Sequence, residues 1–299
     1  MLNDDRVAFY RTNGYLLVEG VLEPDVLAEL RAVTDRIVAT AEGLTDHTDI
    51  LDLEDSHTPE RPRVRRIKHP HKVDPFYWEL ARHPRIMDIL ARLLGPDIRM
   101  HKGGKINIKA GGHGAPVEWH QDWAFYPHTN DDVLAIGLLL DDVGPDNAPL
   151  LVVPGTHRGP TFDHHADGAF CGAMDPAASG LDFSKAVALT GAAGSMTIHH
   201  ARLVHGSEMN RSERQRRLLL NEYTAADAWP LLGCGDFEDF EGHMVRGVST
   251  REPRLAAAPI RMPYPIAAHQ GSIYENQRAT GRRFFESYSE PEKKRAEAT

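Results

Sequence analysis

The sequence predicts a mainly β protein with helices at its N-terminal end. Two observations carry that prediction. In the first hundred residues apolar side chains recur at three-to-four spacing, the period of a helix face. After about residue 100, short apolar runs are punctuated by Gly, Pro, Asn and Asp, the pattern of closely spaced strands and turns.

Val26, Leu27, Leu30, Val33, Ile37 and Val38 share one helix face, with Pro24 near its start and Gly43 near its end. Two further helices are expected at about 75–81 and 84–94, the second stopping at Gly95-Pro96. The polar stretch 45–66 reads as a mobile loop. Farther on, 105–109 alternates polar and apolar residues, and 133–140 is a continuous apolar run. Short apolar segments follow at 150–153, 186–189, 195–198 and 217–223, separated by turn residues such as Gly144-Pro145-Asp146-Asn147 and Pro154-Gly155. Together they predict an antiparallel core of about eight strands, a sandwich or barrel. We expect a single domain: a helical part over about 1–100, a β core over about 101–225 and a C-terminal extension over about 226–299. The charged tail, 291–299, is expected to fray.

The chain has 299 residues, 41% of them hydrophobic, which is enough for a substantial core. A net charge of -9 argues against a nucleic-acid partner. The longest apolar run falls far short of the ~20 residues of a membrane span. The charged opening lacks the apolar segment of a secretion signal. A cytoplasmic protein with reduced thiols is therefore expected. Cys171 and Cys234 are too few for a disulfide framework, a zinc ribbon or an iron–sulfur site, whereas 17 His leave ample material for acid–base chemistry or an imidazole metal site. The basic cluster at 61–66 is read as a solvated or ion-paired loop.

His-x-Asp occurs three times, at His47/Asp49, His120/Asp122 and His165/Asp167. Only His120 follows a strand-like segment, Pro116-Val-Glu-Trp119. Residues i and i+2 of a strand point to one face, roughly 7 Å apart, so His120 and Asp122 can converge on one metal ion. A third ligand from another strand would complete a two-His-one-carboxylate triad, which leaves open coordination positions. His199, His200 and His205 are the candidates. Beyond His205 lies a turn and then an apolar strand. An Arg at the start of that strand could clamp a keto-acid carboxylate in bidentate fashion. Arg216 shares strand parity with Leu218 and Leu220, and Arg214 and Arg217 compete with it.

These residues resemble the phytanoyl-CoA dioxygenase family, which includes ectoine hydroxylase and belongs to the Fe(II)/2-oxoglutarate-dependent oxygenases. The similarity runs from about Phe9 to about Tyr223. It rests on Asn13-Gly-Tyr15 with Glu19-Gly-Val-Leu22, Asn107-Ile-Lys-Ala110, Trp119-His-Gln-Asp122, Pro154-Gly-Thr-His157, and His205-Gly-Ser207 with Asn210 and Arg216.

The resemblance implies a double-stranded β-helix (jelly-roll, cupin-like) core. It implies that His120, Asp122 and His205 bind Fe(II), that Arg216 pairs with the distal carboxylate of 2-oxoglutarate, and that Ser207 and Asn107 hydrogen-bond this co-substrate. The implied reaction uses O2 to hydroxylate an unactivated C–H bond of a small metabolite, releasing succinate and CO2. The intact Asp122 implies oxygenation and not halogenation. Trp123, Phe125 and Tyr126 are expected pocket walls, and His157 is read as structural. Lys105 and Lys109 sit where some relatives place a basic residue for co-substrate or substrate. The segment 161–182 is read either as a lid or as a surface decoration.

Two other readings use the same residues. A cupin-like metal-dependent hydrolase or isomerase would leave Arg216 without a task. A non-catalytic metal or small-molecule sensor would not need so complete a triad. No membrane partner is expected.

Overall fold

The structure is a computed structural model that describes residues 2–112, 114–266, 273–278 and 283–287. Helix α1 (Asp4–Asn13) opens on Asn3, whose side chain accepts from the Arg6 N–H, and closes on Gly14 at φ 81. After strand β1 (Tyr15–Val18) comes α2 (Pro24–Ala39), with its proline in the first turn, where no N–H partner is lost.

The stretch 45–66, expected to be a loop, instead contains β2 (Leu51–Leu53) and the start of β3 (Val64–Lys68). Long-range pairing decides this. Ile67 lies opposite Leu51 on one side and Ile106 on the other. Arg66 and Lys68 reach Asp52 at 2.5 and 3.0 Å, so this end of the basic cluster is ion-paired on a strand. Helices α3 (Phe76–Ala81) and α4 (Pro84–Leu94) lie where periodicity places them.

The β core begins with β4 (Ile98–Lys109), β5 (Val117–His120), β6 (Val133–Leu139) and β7 (Leu150–Val152). A small hairpin of β8 (His165–Ala166) and β9 (Ala169–Phe170) and helix α5 (Pro176–Ser179) interrupt it. It resumes with β10 (Val187–Leu189), β11 (Met196–His200), β12 (His205–Ser207) and β13 (Arg216–Ala225). Helix α6 (Phe237–Gly242), β14 (Met244–Arg246) and α7 (Ile273–Arg278) follow. The tail 291–299 lies outside the described residues. Among the described residues no helix is long and apolar enough to cross a membrane.

The strands form a jelly roll of two antiparallel sheets. The major sheet runs β1-β11-β6-β13-β4-β3-β2, with β14 also on β4, and the minor sheet runs β10-β7-β12-β5. Strand alternation gives the major sheet two different faces. Ile106, Ile136, Leu138, Ile198 and Leu219 pack against α1, α2 and α4 in one apolar core. Each such buried side chain contributes about 1.5–3 kcal/mol. Their neighbours Lys105, Asn107, Lys109, Ala135, His199, Arg216, Leu218 and Glu222 line a cavity.

One irregularity in β4 borders that cavity. Lys105 pairs with Leu220 but His101 with Glu222, so four steps on β4 match two on β13. The extra residues fall in Lys102-Gly103-Gly104, where Lys102 (φ 54) and Gly103 (φ 76) are left-handed. A Cβ on Gly104 would sit 1.9 Å from Asn221 Oδ1 and 2.8 Å from the Leu220 carbonyl. Gly104→Ala is therefore expected to destabilise the fold by about 1–3 kcal/mol. A thermal melt checks this, and an unchanged Tm would show that the bulge has slack.

Candidate active site

His120 ends β5 and His205 begins β12, and the two are direct partners in the minor sheet, their rings 4.1 Å apart. Asp122 is not on the strand. It starts a 3₁₀ turn, Asp122–Ala124, but the intervening Gln121 is still extended (φ -122, ψ 127), which returns the carboxylate to the imidazole side. Asp122 Oδ1 lies 3.8 Å from Nε2 of both His120 and His205. Among the described residues this trio is the one group of His, Cys, Asp or Glu side chains placed so that it could hold a metal ion, one atom from each lying within 4.8 Å of the others.

The backbone sets the imidazole tautomers. Nδ1 of His120 donates to the Glu118 carbonyl (2.8 Å), and Nδ1 of His205 donates to the Leu203 carbonyl (2.9 Å). Both Nε2 lone pairs are left for the cluster. His199 Nε2 holds the outer oxygen of Asp122 at 3.2 Å. Burial alone would raise the Asp122 pKa, but His205, His199 and His120 hold it well below the usual carboxylate range. Burial, with His120 next to it, pushes the His205 imidazole down, so it is neutral at pH 7. Two neutral nitrogens and one carboxylate oxygen fit a non-haem Fe(II) centre.

The other His-x-Asp pairs do local work. His47 Nδ1 accepts from the Leu53 N–H, and His165 Nδ1 lies 2.7 Å from Asp163. Strand parity separates His199, which faces the cavity, from His200, which packs beside Tyr10 and His157. His157 meets the Arg11 carbonyl at 3.1 Å, in keeping with its structural reading.

The cavity, about 300 Å³, lies between the sheets. At one end Arg216 and Lys109 are direct partners across β13 and β4. Arg216 donates to the Ala148 carbonyl (3.1 Å from Nε, 2.6 Å from Nη2) and to Ser207 Oγ (3.1 Å). Lys109 Nζ donates to the same Ser207 Oγ at 2.8 Å and to the Glu208 carbonyl. Both cations are buried, and among the described residues neither has a carboxylate within ion-pair distance. Burial and then the Arg216 charge push the Lys109 pKa well down, and burial lowers that of Arg216 to about 10. Paired cations at a buried site are costly without an anion between them. The competing arginines are spent elsewhere: Arg214 on Asp146, and Arg217 on Asp141 and Asp35. Asn107 also lines the cavity, its buried Oδ1 without a hydrogen-bond partner among the described residues.

Phe125 and Tyr126 line the cavity, Phe125 presenting its ring edge-on to His120. Trp123 does not. The 3₁₀ turn, with about three residues per turn, swings it away from Asp122. It packs with Val133, Ala201 and Ala225, and its indole N–H donates to the Pro259 carbonyl.

Sequence reading missed the brace behind the motif. His164 Nε2 accepts the Gln121 N–H at 2.9 Å, while its Nδ1 donates to the Phe162 carbonyl. The Gln121 amide donates to Pro160 and Arg202 carbonyls and accepts from the Phe162 N–H. Phe170 packs edge-on to Phe125 at 5.0 Å. Within 161–182, Phe162, His164 and Phe170 thus support the His2Asp cluster from behind, so this part of the segment is no mere surface decoration. His164→Phe removes the acceptor for Gln121 and is expected to weaken divalent-metal binding by about 10–100-fold. Competitive Co(II) titration measures this, and unchanged affinity would reduce His164 to core filling.

A family model for phytanoyl-CoA dioxygenase (PhyH) matches residues 10–218. The chain is 39% identical over 280 residues to a probable alpha-ketoglutarate-dependent hypophosphite dioxygenase of Stutzerimonas stutzeri, covering 92% of this chain and 97% of that protein. It is 29% identical to an ectoine dioxygenase of Bordetella bronchiseptica, covering 76% of each. In fold it is similar to the crystal structure of EctD from S. alaskensis with bound Fe (TM-score 0.64, 24% identity, 87% of each chain). With the match spanning His120, Asp122, His205 and Arg216, this chain belongs to the phytanoyl-CoA dioxygenase family.

Proposed function

We propose that His120, Asp122 and His205 bind Fe(II), and that Arg216 and Lys109, with Ser207 and Asn107, hold 2-oxoglutarate. The chain is an Fe(II)- and 2-oxoglutarate-dependent dioxygenase that hydroxylates a small metabolite. The observation that carries the residue assignment is one cavity lined by a His2Asp cluster and by two buried cations that, among the described residues, have no carboxylate within ion-pair distance. A hydrolase or isomerase has no use for the second feature.

When bound, iron and 2-oxoglutarate supply the oxidising chemistry, in which O2 gives one oxygen to succinate and one to the substrate's C–H carbon as CO2 leaves. The protein's part is positional. Ser207 Oγ, shared by Arg216 and Lys109, fixes both cations toward one carboxylate. The Nδ1–H bonds to backbone keep His120 and His205 from rotating. Phe125, Leu218 and Leu220 supply apolar wall that limits water.

Succinate formation from 2-oxoglutarate, with Fe(II), ascorbate and air, tests this reading. We expect slow uncoupled turnover that rises with a correct small-molecule substrate. Iron-loaded protein that does not bind 2-oxoglutarate would restore the hydrolase or isomerase reading.

A further inference from the structure

The proposed iron and co-substrate roles use only part of the cavity. At the other end of the β4–β13 ladder lie His101, Lys102, Lys105, Tyr126 and Glu222. Lys105 is spent on Glu222 at 3.2 Å, and Arg66 on Asp52. Lys102 differs. It is exposed, it lines the cavity, and among the described residues it has no carboxylate within ion-pair distance. Its charge acts on His101, His128 and Glu222, which places the ammonium beside this end of the cavity.

Among the described residues the buried His101 Nε2 there has no hydrogen-bond partner, and the His101 ring lies 4.7 Å from that of Tyr126, whose buried hydroxyl faces Asp122. Buried polar atoms left open beside a cavity point to a ligand that completes them. The bulge explains how Lys102 arrives. The two extra residues of β4 and the left-handed Lys102-Gly103 pair turn this side chain out of the ladder next to His101.

Charge then selects the ligand. Fe(II) brings two positive charges against one on Asp122, and Arg216 with Lys109 balances the two carboxylates of 2-oxoglutarate. The loaded cavity is thus positive before Lys102 is counted. A volume of about 300 Å³ shared with 2-oxoglutarate leaves room only for a small molecule. Among the relatives, ectoine and L-proline name zwitterions, whereas hypophosphite is an anion. Surplus positive charge suits the anion and opposes an ammonium group.

We infer that His101, Lys102 and Tyr126 form the substrate's headgroup subsite and that it takes a compact oxyanion, such as a phosphinate, phosphonate or carboxylate. Lys102 neutralises the anion, and His101 and Tyr126 hydrogen-bond its oxygens. The Tyr126 hydroxyl lies within reach of the Asp122 charge, so the headgroup sits at the metal end of the cavity.

This inference rests on the proposed iron and 2-oxoglutarate site, and its test keeps the two apart. Anaerobic Fe(II)- and 2-oxoglutarate-loaded protein is titrated calorimetrically with sodium hypophosphite, methylphosphonate, acetate and L-proline. At least one of the three anions should bind saturably and more tightly than L-proline, and the preferred one identifies the headgroup. Lys102→Gln should weaken that anion about tenfold or more, Lys102→Arg should restore most of the affinity, and both should keep the visible band of bound 2-oxoglutarate. Tighter binding of L-proline than of every anion would overturn the inference, as would anion affinity unchanged in Lys102→Gln. Loss of the visible band in the wild type would instead overturn the co-substrate assignment.

Discussion

Arg216→Ala is expected to raise the dissociation constant for 2-oxoglutarate by about 30-fold or more while leaving divalent-metal affinity within about twofold. Arg216 lines the same cavity as the His2Asp cluster, and its hydrogen bonds go to Ala148 and Ser207 and not to the cluster. Its hydrogen bonds to Ala148 and Ser207 fix the guanidinium but neutralise nothing. The co-substrate carboxylate is the missing counter-charge. Truncation removes the bidentate partner of that carboxylate and leaves Lys109 alone, whose pKa burial already pushes down. Lys109→Met should give a smaller loss of the same kind. Equal loss of metal and 2-oxoglutarate binding would mean that Arg216 supports the fold and not the ligand.

Asp122→Ala is expected to abolish detectable Fe(II) binding and all succinate formation. Asp122 is the one anionic member of the cluster and meets three imidazoles, those of His120, His199 and His205. Removing it leaves two neutral nitrogens facing a dication in a buried site, with no carboxylate to offset the ion's desolvation. The apo protein should stay folded, because burial holds the pKa values of His120 and His205 down and loss of the Asp122 charge lowers them further. Circular dichroism and a melt confirm the fold, and metal titration measures the loss. Retained stoichiometric iron would show that the metal binds elsewhere.

These expectations rest on features that differ in how far the sequence reveals them. Local chemistry was legible. Pro24, Pro84 and Gly95 mark helix ends because proline and glycine act on their own backbone. Strand parity separates Arg216 from Arg217, since alternation along β13 places Arg216 with Leu218 and Leu220; Arg214 has the same parity and is set apart only in the structure, where it lies before the strand and pairs with Asp146. Long-range pairing was not legible. Nothing local marks Val64–Lys68 as a strand, because its stability comes from β4, some forty residues later.

At the site, the ligands could be read but their supports could not. Trp123 follows Asp122 directly, yet a single 3₁₀ turn takes it out of the cavity. His164 gives no motif signal, because its task is to meet one backbone N–H across a loop. Lys102 is visible only once the β4–β13 register shift is known. The run His101-Lys-Gly-Gly-Lys105, two glycines inside a strand pattern, is the signal that could have marked a bulge.

The central claim is that one cavity holds iron on His120, Asp122 and His205 and 2-oxoglutarate on Arg216. The most direct measurement is visible absorption of anaerobic, Fe(II)-loaded protein as 2-oxoglutarate is added. A weak charge-transfer band should grow to saturation at one 2-oxoglutarate per iron, and should vanish in Arg216→Ala at the same concentration with iron still bound. Fully iron-loaded protein that shows no band would contradict the account.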